Sequence, residues 1–210
     1  KPTIETGQEN FSGSHLLVAT IRRPATRALD PAKAGIDLDP AGFIPVNEKL
    51  ETTVRGIYAL GDVKGGPAFT HIAYNDHLIL AGNLLEGKAL STRGRQVPYC
   101  IFTDPQFARV GMTEAEARKK KTEILVATLP MAHTSRGIET GHTKGLMKAV
   151  VDKKSRKILG AAFFGDQAGE VMSVLQIAMR GGMTADDLRG QVFAHPLYSE
   201  SLNNLFMTIT

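Results

Sequence analysis

Apolar and polar positions follow a regular pattern from about residue 97 to the end of the chain. Short apolar runs between polar turns predict five strands, at residues 99–102, 108–112, 124–130, 145–152 and 157–165. Helical spacing predicts helices at residues 168–179, after Thr184 and from about Pro196 to Met207, and Thr113 begins a short helix that ends near Lys121. The pattern predicts an α+β domain over residues 97–210, an antiparallel sheet with helices on one side.

The pattern before residue 97 is less regular. It predicts an apolar strand at residues 15–20, two short strand-like pieces at 35–38 and 42–46, and a buried strand at 56–62. A helix is predicted from about Thr70 to Leu85, and the polar residues 86–96 indicate a linker. Because the chain begins with Lys1 and opens on a polar stretch, we expect it to be part of a longer protein.

Composition narrows the classes of partner. The 25 basic residues exceed the 21 acidic ones by four, but the basic clusters fall at a predicted helix end and a predicted hairpin turn, so no nucleic acid is expected. No apolar run approaches the roughly 20 residues that span a bilayer, so no membrane is expected. The single cysteine, Cys100, lies in an apolar run and predicts a buried thiol in a reducing, cytoplasmic location.

His195 and Glu200, five residues apart across Pro196, are the best candidates for chemistry. A carboxylate that accepts the second ring proton of an imidazole fixes its tautomer and makes it a proton-transfer base. The same stretch also fits an ordinary helix start, because Pro196 suits a first turn and an apolar face follows it: Leu197, Leu202, Leu205 and Phe206. On these residues alone both interpretations stay open.

A second candidate site lies around Gly61 and Asp62. Glycine permits the close approach of a ligand, and the aspartate can accept hydrogen bonds from a sugar-like hydroxyl chain, although a plain turn aspartate fits as well. The predicted helix that opens near Phe69, Thr70 and His71 would turn its first amides toward a ligand beside Asp62. No Cys or carboxylate partner stands at metal-ligand spacing from the other histidines, so no metal site is predicted.

Four motifs occur in an order that is typical of one family. They are HLLVATIRRP at residues 15–24, TVRGIYALGD at 53–62, IFTDP with VGMTE at 101–114, and HPLYSE at 195–200. The chain resembles the C-terminal half of the class I pyridine nucleotide-disulfide oxidoreductases, flavoenzymes that include dihydrolipoamide dehydrogenase, glutathione reductase and mercuric reductase. FTHIA at 69–73 and VPY at 97–99 make it similar to the mercuric-reductase-like branch that contains the RclA-type proteins of bacteria.

The resemblance implies FAD and NAD(P)H as cofactors. Gly61 and Asp62 would meet the ribityl chain of FAD, and the backbone at Phe69, Thr70 and His71 would face the flavin. His195 would be the acid/base that acts on a thiol, and Glu200 would orient it. Residues 1–28 would end the NAD(P)-binding domain, 29–95 would be the C-terminal segment of the FAD-binding domain, and 97–210 would form the dimerisation domain.

In such a homodimer each histidine would serve the cysteine pair of the other subunit. The FAD phosphate loop and that cysteine pair would lie upstream of Lys1, so the chain alone is expected to be inactive. The acceptor would be a small molecule, a disulfide or a metal ion. Ile21 stands where the family usually has glycine, and its side chain would crowd the close backbone approach used in pyridine nucleotide binding. No cysteine pair follows Leu205, which argues against mercuric reduction. The alternatives are a non-catalytic dimerisation module and a flavin oxidoreductase without the cysteine pair.

Overall fold

The chain divides into two units, residues 1–93 and residues 94–210, and the computed structural model describes every residue of both. The first unit begins with a hairpin of two short strands, β1 (Thr3–Glu5) and β2 (Asn10–Ser12). Its one long helix, α1, spans Thr70–Leu85, which are the predicted bounds. Single 3-10 turns lie at Arg27–Leu29, Pro31–Ala34 and Gly61–Lys64.

The predictions of strands before residue 70 are wrong. Residues 15–20, 35–38, 42–46 and 56–62 form no strand, apart from one bridge between Glu51 and Tyr58. An apolar run becomes a strand only where a neighbouring strand completes its hydrogen-bond ladder. In residues 15–20 the apolar side chains instead point into solvent, and Leu17 is 88% exposed.

The second unit contains a five-stranded antiparallel sheet in the order β3-β4-β7-β6-β5. Its strands are β3 (Tyr99–Ile101), β4 (Gln106–Gly111), β5 (Ile124–Pro130), β6 (Leu146–Asp152) and β7 (Ile158–Gly165). Its helices are α2 (Glu114–Lys119), α3 (Ser135–Thr140), α4 (Ala168–Arg180), α5 (Ala185–Gly190) and α6 (Ser201–Met207). All five predicted strands are present.

One buried cluster joins the sheet to its helices. Alternate strand residues such as Ala108, Met147 and Phe163 face Leu175 of α4 and Phe206 of α6, and all five are almost fully buried. Side chains that leave the sheet on its other face are more exposed, for example Phe164 at 42%. The predicted α+β fold, with an antiparallel sheet and its main helices on one side, is confirmed.

Two helices of this unit differ from the prediction. Helix α6 begins at Ser201 rather than at Pro196, because residues 196–200 form turns in which Tyr198 enters the core and the Glu200 side chain bends back to His195. Helix α3 was not predicted, since its six residues are too few to show helical periodicity. Both differences lie next to the candidate histidine.

Candidate active site

His195 and Glu200 form a direct pair in the second unit. The Nδ1 atom of His195 lies 3.1 Å from each carboxylate oxygen of Glu200. Since a carboxylate only accepts hydrogen bonds, Nδ1 carries the proton and the neutral ring keeps Nε2 as its acceptor. The imidazole is 62% exposed, so Nε2 is accessible to a reacting group. The sequence pair therefore has the geometry of an oriented acid/base histidine.

The core holds the carboxylate side of this pair. Glu200 stands directly before α6, whose first two residues, Ser201 and Leu202, are buried. The Asn203 side chain ties α6 to the end of α5 through the carbonyl oxygens of Leu188 and Arg189, at 2.8 and 3.1 Å. The carboxylate is thus fixed by a packed helix.

A second carboxylate lies beside the ring. Oε1 of Glu139, in α3, is 4.0 Å from Nε2 of His195. That distance is too long for a hydrogen bond, but it puts another negative charge next to the reactive nitrogen. Spacing alone gave no sign of Glu139, because it is 56 positions from His195 along the chain and lies on a helix that was not predicted.

Asp62 occupies an exposed turn of the first unit. Gly61 begins this 3-10 turn with φ +70°, a conformation that favours glycine, and Asp62 follows it. Oδ2 of Asp62 accepts a hydrogen bond from Arg22 at 3.1 Å, and the same guanidinium donates to the carbonyl oxygen of Ala68 at 3.0 Å. Arg22 is therefore an ion-pair partner of Asp62.

Helix α1 presents its N-terminus near this turn. Phe69 is its N-cap, Thr70 its first residue, and the rings of Phe69 and His71 stack with centroids 5.2 Å apart. The first amides of an α-helix have no acceptor inside the helix and attract carbonyl or anionic groups. The structure thus brings all five predicted cofactor residues to one turn and one helix start: Gly61, Asp62, Phe69, Thr70 and His71.

Two buried charged side chains, Asp76 and Lys64, stabilise the turn that carries Asp62. Asp76, on α1, is fully buried, and its Oδ2 accepts the Gly61 amide at 3.0 Å. The same oxygen lies 3.3 Å from Nζ of Lys64, whose side chain is 8% exposed. Sequence reasoning missed both residues, although an aspartate among apolar helix positions is a signal for a buried, paired carboxylate. Together they fix the turn that presents Asp62.

The second unit also contains a partly buried thiol and a cavity. Cys100 is partly buried, and this burial raises the pKa of its thiol, which makes it a weak nucleophile. A cavity of about 490 Å³ lies over the sheet, where Lys148 and Arg118 both pair with Glu114. Neither His195 nor Glu200 lines it.

Comparison with known proteins identifies the protein family to which this chain belongs. The model of the pyridine nucleotide-disulphide oxidoreductase dimerisation domain matches residues 97–206, and the pyridine nucleotide-disulphide oxidoreductase model matches residues 1–76. The chain belongs to the pyridine nucleotide-disulfide oxidoreductase family, an oxidoreductase family, as the motifs predicted.

Individual relatives agree with this class. The chain is 42% identical over 195 residues to the probable pyridine nucleotide-disulfide oxidoreductase RclA of Escherichia coli K12, covering 92% of this chain and 44% of that protein. It is 38% identical to dihydrolipoyl dehydrogenase of Thermus scotoductus, covering 93% and 42%. The solved structure of HOCl-induced flavoprotein disulfide reductase RclA from Escherichia coli superposes with a TM-score of 0.90 at 39% identity, covering 98% of this chain and 47% of that one. The chain spans less than half the length of these relatives.

No helix in the structure has the length and apolar character that crossing a membrane requires.

Proposed function

We propose that this chain is the C-terminal part of an FAD-dependent, NAD(P)H-using disulfide oxidoreductase, in which His195 is the acid/base and Glu200 orients it. The observation that carries the proposal is the contact of His195 Nδ1 with both oxygens of Glu200 at 3.1 Å, in a chain of this family. The contact leaves Nε2 to take a proton from a thiol and to return it.

The hydrogen-bond donors and acceptors of the first unit are of the kinds that bind FAD. The Asp62 carboxylate is about half exposed and suits ribityl hydroxyls, and the N-terminus of α1 suits the carbonyl oxygens of a flavin ring. FAD, when bound, would pass electrons from the nicotinamide to a disulfide. Asp62 would orient the ribityl chain, and Asp76 with Lys64 would keep the turn in place.

We propose that two copies associate through residues 97–210. Support comes from the match of this segment to a dimerisation domain and from large apolar side chains on its surface, such as Phe102 at 83% and Ile177 at 73% exposure. In the proposed dimer the His195 of one subunit serves the cysteine pair of the other.

We propose that residues 1–28 belong to an NAD(P)-binding domain and residues 29–95 to an FAD-binding domain. The redox cysteines would lie in a part of the longer protein outside this chain. We propose a cytoplasmic location, which suits the lone thiol of Cys100.

The test uses the full-length protein, purified as wild type and as His195→Gln. We expect NAD(P)H to reduce the flavin of both proteins at similar rates, because His195 takes no part in that step. Reduction of a disulfide by the variant should fall by about 100-fold or more, the usual contribution of an acid/base group. Arg189→Gln, a change of an exposed residue on α5, is the matched control and should retain activity.

Three results would contradict the proposal. A full-length protein without flavin would favour the non-catalytic dimerisation module. Flavin reduction without any disulfide reduction in the wild type would favour a flavin oxidoreductase that lacks the cysteine pair. A variant with unchanged disulfide reduction would remove His195 from the chemistry.

A further inference from the structure

The loop that carries His195 has one deeply buried side chain. Between Leu188 and Ser201 that side chain belongs to Tyr198, at 4% exposure, whereas Phe193 packs against the core only partly buried. Its neighbours are open to solvent, with Val192 at 89% and Leu197 at 49% exposure. The position of the histidine side of the His195–Glu200 pair therefore depends on how Tyr198 is held.

The Tyr198 hydroxyl has a polar partner at the end of α3. It lies 3.0 Å from Oγ1 of Thr140, the last residue of that helix. The Thr140 hydroxyl donates its one hydrogen to the carbonyl oxygen of Arg136 at 2.8 Å, so the phenol is the donor toward Thr140. A buried phenol with such a partner holds a defined position, because leaving its hydroxyl unsatisfied would be costly.

Asp166 places a negative charge near the same hydroxyl from the sheet side. It directly follows strand β7, and the hydrogen bond from His142 lowers its pKa, so that it stays ionised. The bond from Nδ1 of His142 is 2.9 Å long. Burial raises the pKa of Tyr198, and the nearby charge of Asp166 raises it further, which keeps the phenol protonated as the donor to Thr140. The ring is thus held at the end of α3, and the end of β7 lies beside it.

Helix α3 links this anchor to the imidazole. It ends at Thr140, which meets Tyr198, and the preceding residue, Glu139, lies 4.0 Å from Nε2 of His195. The imidazole is therefore placed between Glu200 on its Nδ1 side and Glu139 on its Nε2 side. A small shift of the loop would let Nε2, rather than Nδ1, donate to a carboxylate.

We propose that Tyr198, held by its hydrogen bond to Thr140, is a positioning residue that keeps the His195 imidazole turned toward Glu200 and away from Glu139. The anchor then selects the tautomer with hydrogen on Nδ1 and leaves Nε2 free to exchange a proton. The catalytic meaning of this arrangement rests on the proposed function. The placement of the ring can be measured without any enzyme activity.

The test is NMR of the ring nitrogens in the 210-residue chain labelled with ¹⁵N-histidine, with the His195 signals assigned from a His195→Gln sample. In the wild type we expect separate shifts for a protonated Nδ1 and an unprotonated Nε2. Tyr198→Phe keeps the buried ring and removes only the hydroxyl. It should move the two shifts toward a common average, since the ring would exchange between two carboxylates.

Two further variants make the result decisive. Thr140→Val removes the partner instead of the phenol and should change the His195 shifts in the same direction, which also covers the case that Tyr198→Phe does not fold. Tyr74→Phe, at a tyrosine that is 63% exposed, is the control and should leave them unchanged. Wild-type shifts in folded Tyr198→Phe, or in folded Thr140→Val if the first variant fails to fold, would overturn the proposal.

The outcome is independent of the proposed function. If full-length His195→Gln kept its disulfide reduction while Tyr198→Phe altered the ring shifts, the positioning role would stand and the catalytic role would fall. If disulfide reduction fell in full-length His195→Gln but Tyr198→Phe left the ring shifts unchanged, the positioning role of Tyr198 would be refuted and the acid/base role of His195 would stand.

Discussion

The two units of this chain support their candidate residues in different ways. Residues 94–210 surround one large buried cluster, and the Glu200 carboxylate is attached to a helix inside it. Residues 1–93 bury two small clusters, one around Ile44 and one around Leu50. In the first unit the turn at Asp62 instead depends on a few polar contacts below it. The His195–Glu200 pair is therefore placed by packing, whereas the turn at Asp62 is placed by a buried ion pair.

Removing part of the large cluster should have the largest effect. Phe206, in α6, is fully buried, and Phe206→Ala should lower the unfolding free energy of the second unit by about 3–5 kcal/mol through lost burial and a cavity. Hydrogen exchange of the β6 amides measures this loss. Val192→Ala, at an 89% exposed valine of the same unit, is the control. Equal losses in both variants would contradict a core centred on α6.

Breaking the buried pair should be the next largest change and should affect the first unit. Asp76→Asn keeps an oxygen for the Gly61 amide but leaves the Lys64 ammonium buried without its counter-charge, at a cost of roughly 3 kcal/mol. Faster hydrogen exchange in α1 with unchanged exchange in β6 would show this. Asp37→Asn, at an exposed aspartate of the same unit, serves as the control. An unchanged α1 in Asp76→Asn would show that the pair does not hold the turn.

Removal of a helix cap in the second unit should lower its unfolding free energy by a smaller amount. The Thr184 hydroxyl accepts the Asp187 amide at 3.1 Å and forms a capping box at the start of α5. Thr184→Ala should cost about 1 kcal/mol in urea unfolding, whereas Thr184→Ser, which retains the hydroxyl, should cost much less. Equal losses for alanine and serine would show that the cap does not stabilise α5.

Protonation of a single ion-paired carboxylate in acid should have the smallest effect on the unfolding free energy of the second unit. The hydrogen bond from Arg156 lowers the pKa of Asp186, so its contribution is present above the pKa of the unfolded chain and is lost as pH falls through the lower folded value. We expect unfolding free energy to decrease below about pH 4. Asp186→Asn should flatten that decrease slightly, because the pair is partly exposed and screened. A steeper acid loss in the variant would contradict this sign.

The fold of the second unit was predictable because its strands pair with one another. Each apolar run from β4 to β7 finds its neighbours within residues 94–210, so local pattern and final structure agree. The run at residues 15–20 has equally strong apolar character but no neighbouring strand in this chain. Its prediction failed because strand formation is a property of a pair rather than of one segment.

The candidate site was predictable only where its residues are close in sequence. His195 and Glu200 are five residues apart, so spacing alone suggested them. Glu139 and Asp166 reach the same region through folding and are separated from His195 by 56 and 29 positions. Tyr198 lies within the motif, yet its burial depends on Thr140 in a helix too short to predict.

The central claim is that His195 acts on the cysteine pair of a second subunit, and subunit mixing tests it most directly. Full-length protein is co-expressed from two differently tagged copies, one with His195→Gln and one with its redox cysteines replaced by serine, and the mixed dimer is purified through both tags. Each variant homodimer should be inactive in disulfide reduction. The mixed dimer should recover about half of the wild-type activity, because one of its two sites combines an intact cysteine pair with an intact histidine from the other subunit. A mixed dimer as inactive as its parents would contradict the account.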